Sequence, residues 1–362
     1  MATTTVHADG RVIKFLNEFF LEYLRRNRFF GYTGKGVENP IVIKRDRGPT
    51  VRHPLLTQLS GAGVSGSSTL RGNGENIGNY FWDTNPTYYR HAVEFDKENL
   101  EKSNIAFMRA GRPLLLQWAM DQTRNRQIQA MAAVYNGTTY ADFGGTGFTE
   151  AIADTWQSNN SDRVIYGANI ALTGDSSAEL GGIDSTNDTL VRQRVKDMRR
   201  LAEDTSPAIR PISTDQESEV FVLFVGSASF NDLKNDLETV NSNADVRGMG
   251  NITRGKNIIA RDGDLFHEGV VIRKVPEITK LFAATGKPLA TAGASSIAVE
   301  PAFFCGAQAV AWGLGQNPDI VFDGDFDYKF QPGVAVELKE DVKKFFFNNV
   351  QHGMVSGFFS GA

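Results

Sequence analysis

The chain has 362 residues, 41% of them hydrophobic and 22% charged, and a net charge of -4. That length suits about two domains with substantial cores. The mild acidity argues against a protein whose main task is to grip nucleic acid through a dense basic surface, and excludes little else.

The first predicted element is an amphipathic helix from Arg11 to Asn27, with Ile13, Leu16, Phe20 and Leu24 at spacings of three and four. A glycine-punctuated stretch, Gly31 to Gly36, detaches it from the next element, so its stripe is buried either on its own domain or on a neighbouring subunit. Strand-like runs come next, from Pro40 to Arg45 and from Thr50 to Leu59. A polar, glycine-rich stretch from Ser60 to Asn79 then leads to a third run, Thr87 to Phe95. Two extended segments joined by such a stretch predict a long projecting hairpin, because a loop of that length without its own core is unusual in a compact domain.

A long helix is expected from Pro113 to Asn136, opened by the proline and stopped by Gly137. Residues 137–187 are polar and without clear periodicity, which predicts loop with short strands. A second helix is expected from Asp188 to Asp204, with Val191, Val195, Met198 and Ala202 on its apolar side. Its basic face (Arg192, Arg194, Lys196, Arg199 and Arg200) is either solvated or in contact with DNA or an acidic partner. The last third holds a buried strand (Val220 to Val225), a short helix (Ser229 to Leu237), another strand (Gly269 to Val275), a small-residue loop (Ala283 to Ser296) and a tail from Val334 to Phe347. The irregular alternation favours a mixed α+β class over a doubly wound sheet.

Motifs for catalysis are weak. Gly61, Gly63 and Gly66 fit a dinucleotide-binding spacing, but the residues after them, Ser67 to Gly74, do not start the helix that would bind a pyrophosphate. His267 and Glu268 begin like a zinc-protease motif, yet Val271 stands where the second histidine is needed. Asp323, Asp325 and Asp327 resemble the start of a calcium loop, yet Tyr328 and Val334 occupy its glycine and glutamate positions. Cys305 is the one cysteine, which leaves no intramolecular disulfide and no multi-cysteine zinc site; its apolar setting predicts a buried thiol. The five histidines are scattered singly. No catalytic, cofactor-binding or metal-binding residue is therefore expected. The start of the chain lacks a secretory signal, and its apolar runs are shorter than the roughly 20 residues of a membrane helix, so synthesis in a reducing cytoplasm is expected.

Several segments together resemble a known family. They are Pro40 to Arg45, Pro54 to Gly66, Thr69 to Asn73, Arg90 to Val93, Ile212, Val220 to Val225, Gly306 to Val310, Asp327 to Lys329 and Lys343 to Phe346. In this order they resemble the major capsid proteins of tailed phages related to the coat protein of the podovirus N-four, over nearly the whole chain. The resemblance implies the tailed-phage and herpesvirus capsid fold of the Hong Kong phage type. It also implies an arm at 1–45, an extended loop at 46–95, a peripheral domain with a spine helix at 96–205, an axial domain at 206–322 and a return to the peripheral domain at 323–362.

The implied function is self-assembly, without catalysis or cofactor, into pentamers and hexamers of an icosahedral head. Contacts between subunits are expected at Phe15, Phe19 and Phe20 of the arm, at Leu55, Leu56, Leu70, Arg71 and Glu75 of the loop, and at Tyr88, Arg90 and Trp118. Expected partners are further copies of the chain, portal, scaffolding and decoration proteins, and packaged double-stranded DNA held non-specifically, with no membrane. The protein is expected in the virion capsid, and in the host cytoplasm during assembly. Two rival expectations are an encapsulin-like nanocompartment shell and a nucleotide-binding oxidoreductase. Some relatives of this fold weld a loop lysine to a neighbouring asparagine. Here no lysine lies between Lys44 and Lys97. Mature heads should therefore run as a single monomer band on a denaturing gel, and a ladder of multimers would contradict this.

Overall fold

A computed structural model of the protein describes residues 27–34, 40–46, 49–98, 107–168, 172–215, 218–246, 264–324 and 330–361. The expected arm helix lies outside the described residues apart from Asn27. The first strands are β1 (Val42–Asp46), β2 (Val51–Leu56), β3 (Asn79–Thr84) and β4 (Thr87–Glu94), followed by helix α1 (Phe107–Ala132). Then come β5 (Val134–Tyr135), β6 (Tyr140–Ala141), α2 (Glu150–Asn159), β7 (Val164–Tyr166), α3 (Ser176–Gly181), α4 (Arg192–Asp204), β8 (Ser213–Asp215), β9 (Ser218–Val225) and α5 (Ser227–Val246). The last are β10 (Asp264–His267), β11 (Val270–Lys274), β12 (Val299–Cys305), β13 (Val310–Asp323), β14 (Gly333–Lys344), β15 (Phe346–Phe347), β16 (Val350–Gln351) and β17 (Met354–Ser360). The mixed α+β class is as expected.

The chain divides into two compact units: residues 1–27, Tyr88–Gln122 and Gln316–Lys339 form one, and Arg28–Thr87, Thr123–Gly315 and Glu340–Ala362 the other. In the larger unit a mixed sheet runs β10-β11-β9-β12-β17-β7, with β8 beside β9. Both β12 and β17 are buried at every position. The pleat sends successive side chains to opposite faces. Leu223, Phe304, Val355 and Phe359 meet Val195, Met198 and Ala202 of α4 and Phe230 and Leu233 of α5. Phe224, Phe303, Met354 and Phe358 instead join Ile128 and Met131 of α1 and Trp156 of α2. Each such large side chain contributes about 1.5–3 kcal/mol by leaving water.

Several expected boundaries move. Pro113 lies inside α1 rather than opening it. The turn before it is held by packing, with buried Gly111 against the Phe95 ring, so tertiary contact overrides the proline signal. Gly137 (φ +97°) stops no helix. It turns the β5–β6 hairpin, in which Tyr135 faces Tyr140 and the Asn136 side chain accepts from the amides of Thr138 and Thr139. Helix α4 starts at Arg192, not at Asp188, because the Asp188 carboxylate is engaged elsewhere. It accepts from the amides of Ala168 (2.6 Å) and Asp184 (2.9 Å). The 137–187 region carries two helices where loop was expected.

The basic face of α4 is largely neutralised within the chain. Arg194 pairs with Asp197 at 2.8 Å, Lys196 with Glu268 at 2.9 Å, Arg199 with Glu203 at 2.7 Å and Arg192 with Asp236 at 3.8 Å.

Strand β14 alternates strictly, burying Val336, Leu338, Glu340, Val342 and Lys344. The Glu340 carboxylate accepts from Thr123 (3.0 Å), from the Trp312 indole (3.1 Å) and from Arg126. In the smaller unit, Val334, Val336 and Leu338 pack on Leu115 and Ala119 of α1, bordered by Tyr89, Val93 and Trp118.

Lys344 is fully buried, its ammonium 2.9 Å from the Gln351 side-chain oxygen and 5.1 Å from the Trp156 ring centre. Burial drives its pKa down to about 7. In the unfolded chain the amine keeps its proton to about pH 10. The unfolded state therefore binds more protons between about pH 7 and pH 10, and stability rises with pH across that window. In urea unfolding, wild type should gain up to about 1.4 kcal/mol per pH unit relative to Lys344→Met there. A gap that stays constant with pH would contradict the assignment.

Candidate assembly surface

The projecting hairpin is β2 paired with β3, in register from Val51 opposite Thr84 to Leu56 opposite Asn79. The expected second arm, Thr87 to Phe95, instead forms β4 of the smaller unit, beside β14. The hairpin is thus shorter and closes one strand earlier, while its tip, residues 57–78, matches the polar stretch.

No helix or strand forms in the tip. Its shape comes from a few polar contacts. Thr57 donates its amide to the Gly78 carbonyl at 2.9 Å. The Glu75 carboxylate accepts from the amides of Ser60 (2.8 Å) and Gly61 (2.7 Å) and from the Ser60 hydroxyl. These bonds hold the Glu75 carboxyl below its usual range. Gly63, Gly66 and Gly72 have φ of +72°, +68° and +90°, a backbone region where other residues are strained. A dinucleotide site needs a helix start after these glycines, and none exists within the tip.

In this mainly polar tip, and at the end of β2 beside it, a few large apolar side chains meet solvent. Leu56 is 69% exposed, Leu70 68%, Ile77 62% and Leu59 56%. Exposed apolar side chains gathered on one projecting loop make it a candidate interaction surface.

The hairpin's base is firmly fixed. Arg52 grips Asp83 through two bonds of 2.8 and 2.7 Å. Trp82 packs on Tyr135, Tyr140 and Phe346. The amide of Asn85 donates to Asp341 at 2.7 Å. His53, Phe345, Phe347 and His352 form a row of rings with centres 5.2, 5.5 and 5.4 Å apart. Burial lowers the pKa of both histidines, that of His352 to about 4. Beside this row lies a cleft of about 220 Å³, lined also by Arg45, Arg52 and Leu55.

Of the residues expected at subunit contacts, Phe15, Phe19 and Phe20 lie outside the described residues. The hairpin gathers five of the others. Leu56, Leu70, Arg71 and Glu75 are exposed, while Leu55 is half-buried against the cleft. The smaller unit holds the remaining three. Exposed Tyr88 lies under the Lys339 ammonium (4.9 Å), Arg90 is 4.0 Å from Glu337, and half-buried Trp118 stacks on His91 at 4.7 Å. Sequence reasoning overlooked Leu59 and Ile77, and on the smaller unit Leu114, Met120, Phe322 and Phe330, all exposed. Isolated apolar residues within a polar run were the available signal for the first two.

Other motifs resolve simply. Glu268 is the partner of Lys196. Asp325 and Asp327 lie outside the described residues. Cys305 is buried within β12. Among the described residues no group of three or more His, Cys, Asp or Glu is placed to hold a metal ion, and no helix is long and apolar enough to cross a membrane.

Comparison with known proteins gives this hairpin a family setting. The sequence model of a family described as phage capsid protein matches residues 3–357. The chain is similar to the capsid asymmetric unit of cyanophage Pam1, with 31% identity over 100% of both chains and a TM-score of 0.88. It shares its fold with the capsid of Ralstonia phage GP4 (18% identity, 99% of this chain and 98% of that one, TM-score 0.70). It also shares it with the capsid of Helicobacter pylori bacteriophage KHP30 (14% identity, 97% and 96%, TM-score 0.66). No curated protein matches the chain. With a match that spans nearly all of its length, the chain belongs to the phage capsid protein family, and its role is structural rather than catalytic.

Proposed function

We propose that the chain is the major capsid protein of a tailed double-stranded-DNA phage and assembles with itself into the pentamers and hexamers of an icosahedral head. The observation that carries this reading is similarity to the Pam1 capsid over the full length, joined to a projecting hairpin whose Leu56, Leu59, Leu70 and Ile77 are left exposed by their own chain. Heterologous contacts repeated around rings close a shell, and each ring position supplies a neighbour to cover the tip.

In this reading residues 1–45 are an arm and 46–95 the extended-loop region, with β2 and β3 as its rigid stem. Residues 96–205 are a peripheral domain whose spine is α1, 206–322 an axial domain, and 323–362 a return to the peripheral domain. Leu56, Leu70, Arg71 and Glu75 contact one neighbour through the tip, and Tyr88, Arg90 and Trp118 belong to a second contact surface. The arm residues Phe15, Phe19 and Phe20, and Leu55 at the stem, complete the set. Portal, scaffolding and decoration proteins are further partners, and assembly takes place in the host cytoplasm. With α4's basic face occupied by its own acids, packaged DNA is enclosed without a dense cationic grip.

Replacing residues 60–78 by a two-glycine turn should leave a folded, soluble subunit, because the stem contacts lie outside the deletion. That subunit should form no stable heads by negative-stain electron microscopy. Normal heads from the shortened chain would refute the hairpin's role.

A further inference from the structure

The cleft at the hairpin base is not explained by the tip. Its size, about 220 Å³, is below the roughly 300–1,000 Å³ of small-molecule sites, and suits one or two side chains. Its floor is aromatic, from Phe345 and Phe347, and its rim is cationic, from Arg45 and Arg52. Asp83 occupies Arg52. Exposed Arg45 has no ion pair among the described residues. The two histidines on the cleft, with lowered pKa values, add no charge near neutral pH.

An occupant should therefore be acidic and aromatic. The stretch between β13 and β14 has that character together with exposed rings. Residues 321–330 carry Asp323, Asp325 and Asp327 against Lys329, a net of -2, together with Phe322, Phe326, Tyr328 and Phe330. Phe322 is 57% exposed and Phe330 44%. The competing segments have the wrong charge. Residues 1–26 hold Arg11, Lys14, Arg25 and Arg26 against Asp9, Glu18 and Glu22, a net of +1. Residues 247–263 hold Arg247, Arg254, Lys256 and Arg261 against Asp262, a net of +3.

We propose that this cleft receives the acidic aromatic turn 321–330 of a second copy of the chain, with Arg45 facing its aspartates and Phe345 and Phe347 facing its rings. The inference rests on the self-assembly reading above and adds a second contact between copies, at the stem of the hairpin rather than at its tip. Complementary charge at such a rim sets register and excludes wrong neighbours more than it adds affinity.

The test uses heads assembled from the full chain with a photo-reactive phenylalanine analogue at Leu55, and separately at exposed Pro54 in case the first placement disturbs folding. Nitrogen-15-labelled and unlabelled subunits are co-assembled, irradiated and digested, and adducts are mapped by mass spectrometry. The expected result is an adduct within residues 321–330 that carries both isotope patterns. Arg45→Glu should reduce its yield about tenfold, and Arg45→Glu combined with Asp325→Arg should restore it. Adducts only within one copy, adducts to residues 1–26 or elsewhere, or no adduct at either position would overturn the proposal. Heads that form without this adduct would leave self-assembly standing and remove the contact alone, whereas unmodified chain that yields no particles would remove self-assembly itself.

Discussion

The larger unit is organised around two strands that are buried at every position. β12 and β17 pair along their full length, from Val299 opposite Ser360 to Cys305 opposite Met354. A strand buried on both faces must satisfy every backbone group through its neighbours and fill both faces with side chains. β9 and β7 supply the flanking ladders, and α4, α5, α1 and α2 supply the covering layers. Even the polar residues of these strands are bound into this scheme. The buried Glu300 carboxylate accepts from the Ser229 amide and hydroxyl and from Thr279, and so holds the first turn of α5.

Because the body is closed in this way, the hairpin can be open. Its two strands are joined by a bidentate ion pair and fixed to the body by the packing of Trp82, while its tip holds its shape through Glu75 and Thr57 and leaves its leucines to solvent. A flexible loop would lose conformational entropy on docking and weaken assembly. A stem that already points the tip in one direction reduces that loss, which suits a subunit that must make the same contact many times in one shell. Several charged groups elsewhere are answered inside the chain, Glu340 by three donors and Arg192, Arg194 and Arg199 of α4 by acids.

Legibility in the sequence tracked how local the cause was. The stripe Val195, Met198 and Ala202, the apolar run of β9 and the glycine-rich hairpin tip were readable because periodicity or composition alone dictates them. Helix α2 was missed because its buried face is only Ile152, Ala153, Trp156 and Gln157, too few turns for a clear period. β17, with the sequence Met354 to Ser360, carries two serines and a glycine yet is buried at every position. Its partner β7 is nearly two hundred residues away in sequence, a pairing no local window can see. The mistaken hairpin partner has a similar origin, since both β3 and β4 are good strands and only the pairing of β4 with β14 separates them. Pro113 within α1 shows propensity yielding to packing. The contact surface itself was half visible. Apolar residues in a polar loop can be noticed, but whether they are covered depends on the rest of the fold.

The central claim is that residues 57–78 are exposed in the free subunit and covered by a neighbour in the head. Amide hydrogen exchange measured on the isolated subunit and on assembled heads tests it directly. Fast exchange is expected across 57–78 in the subunit and strong protection of the same amides in heads, with β12 and β17 protected in both. Equal exchange of 57–78 in the two states would contradict it.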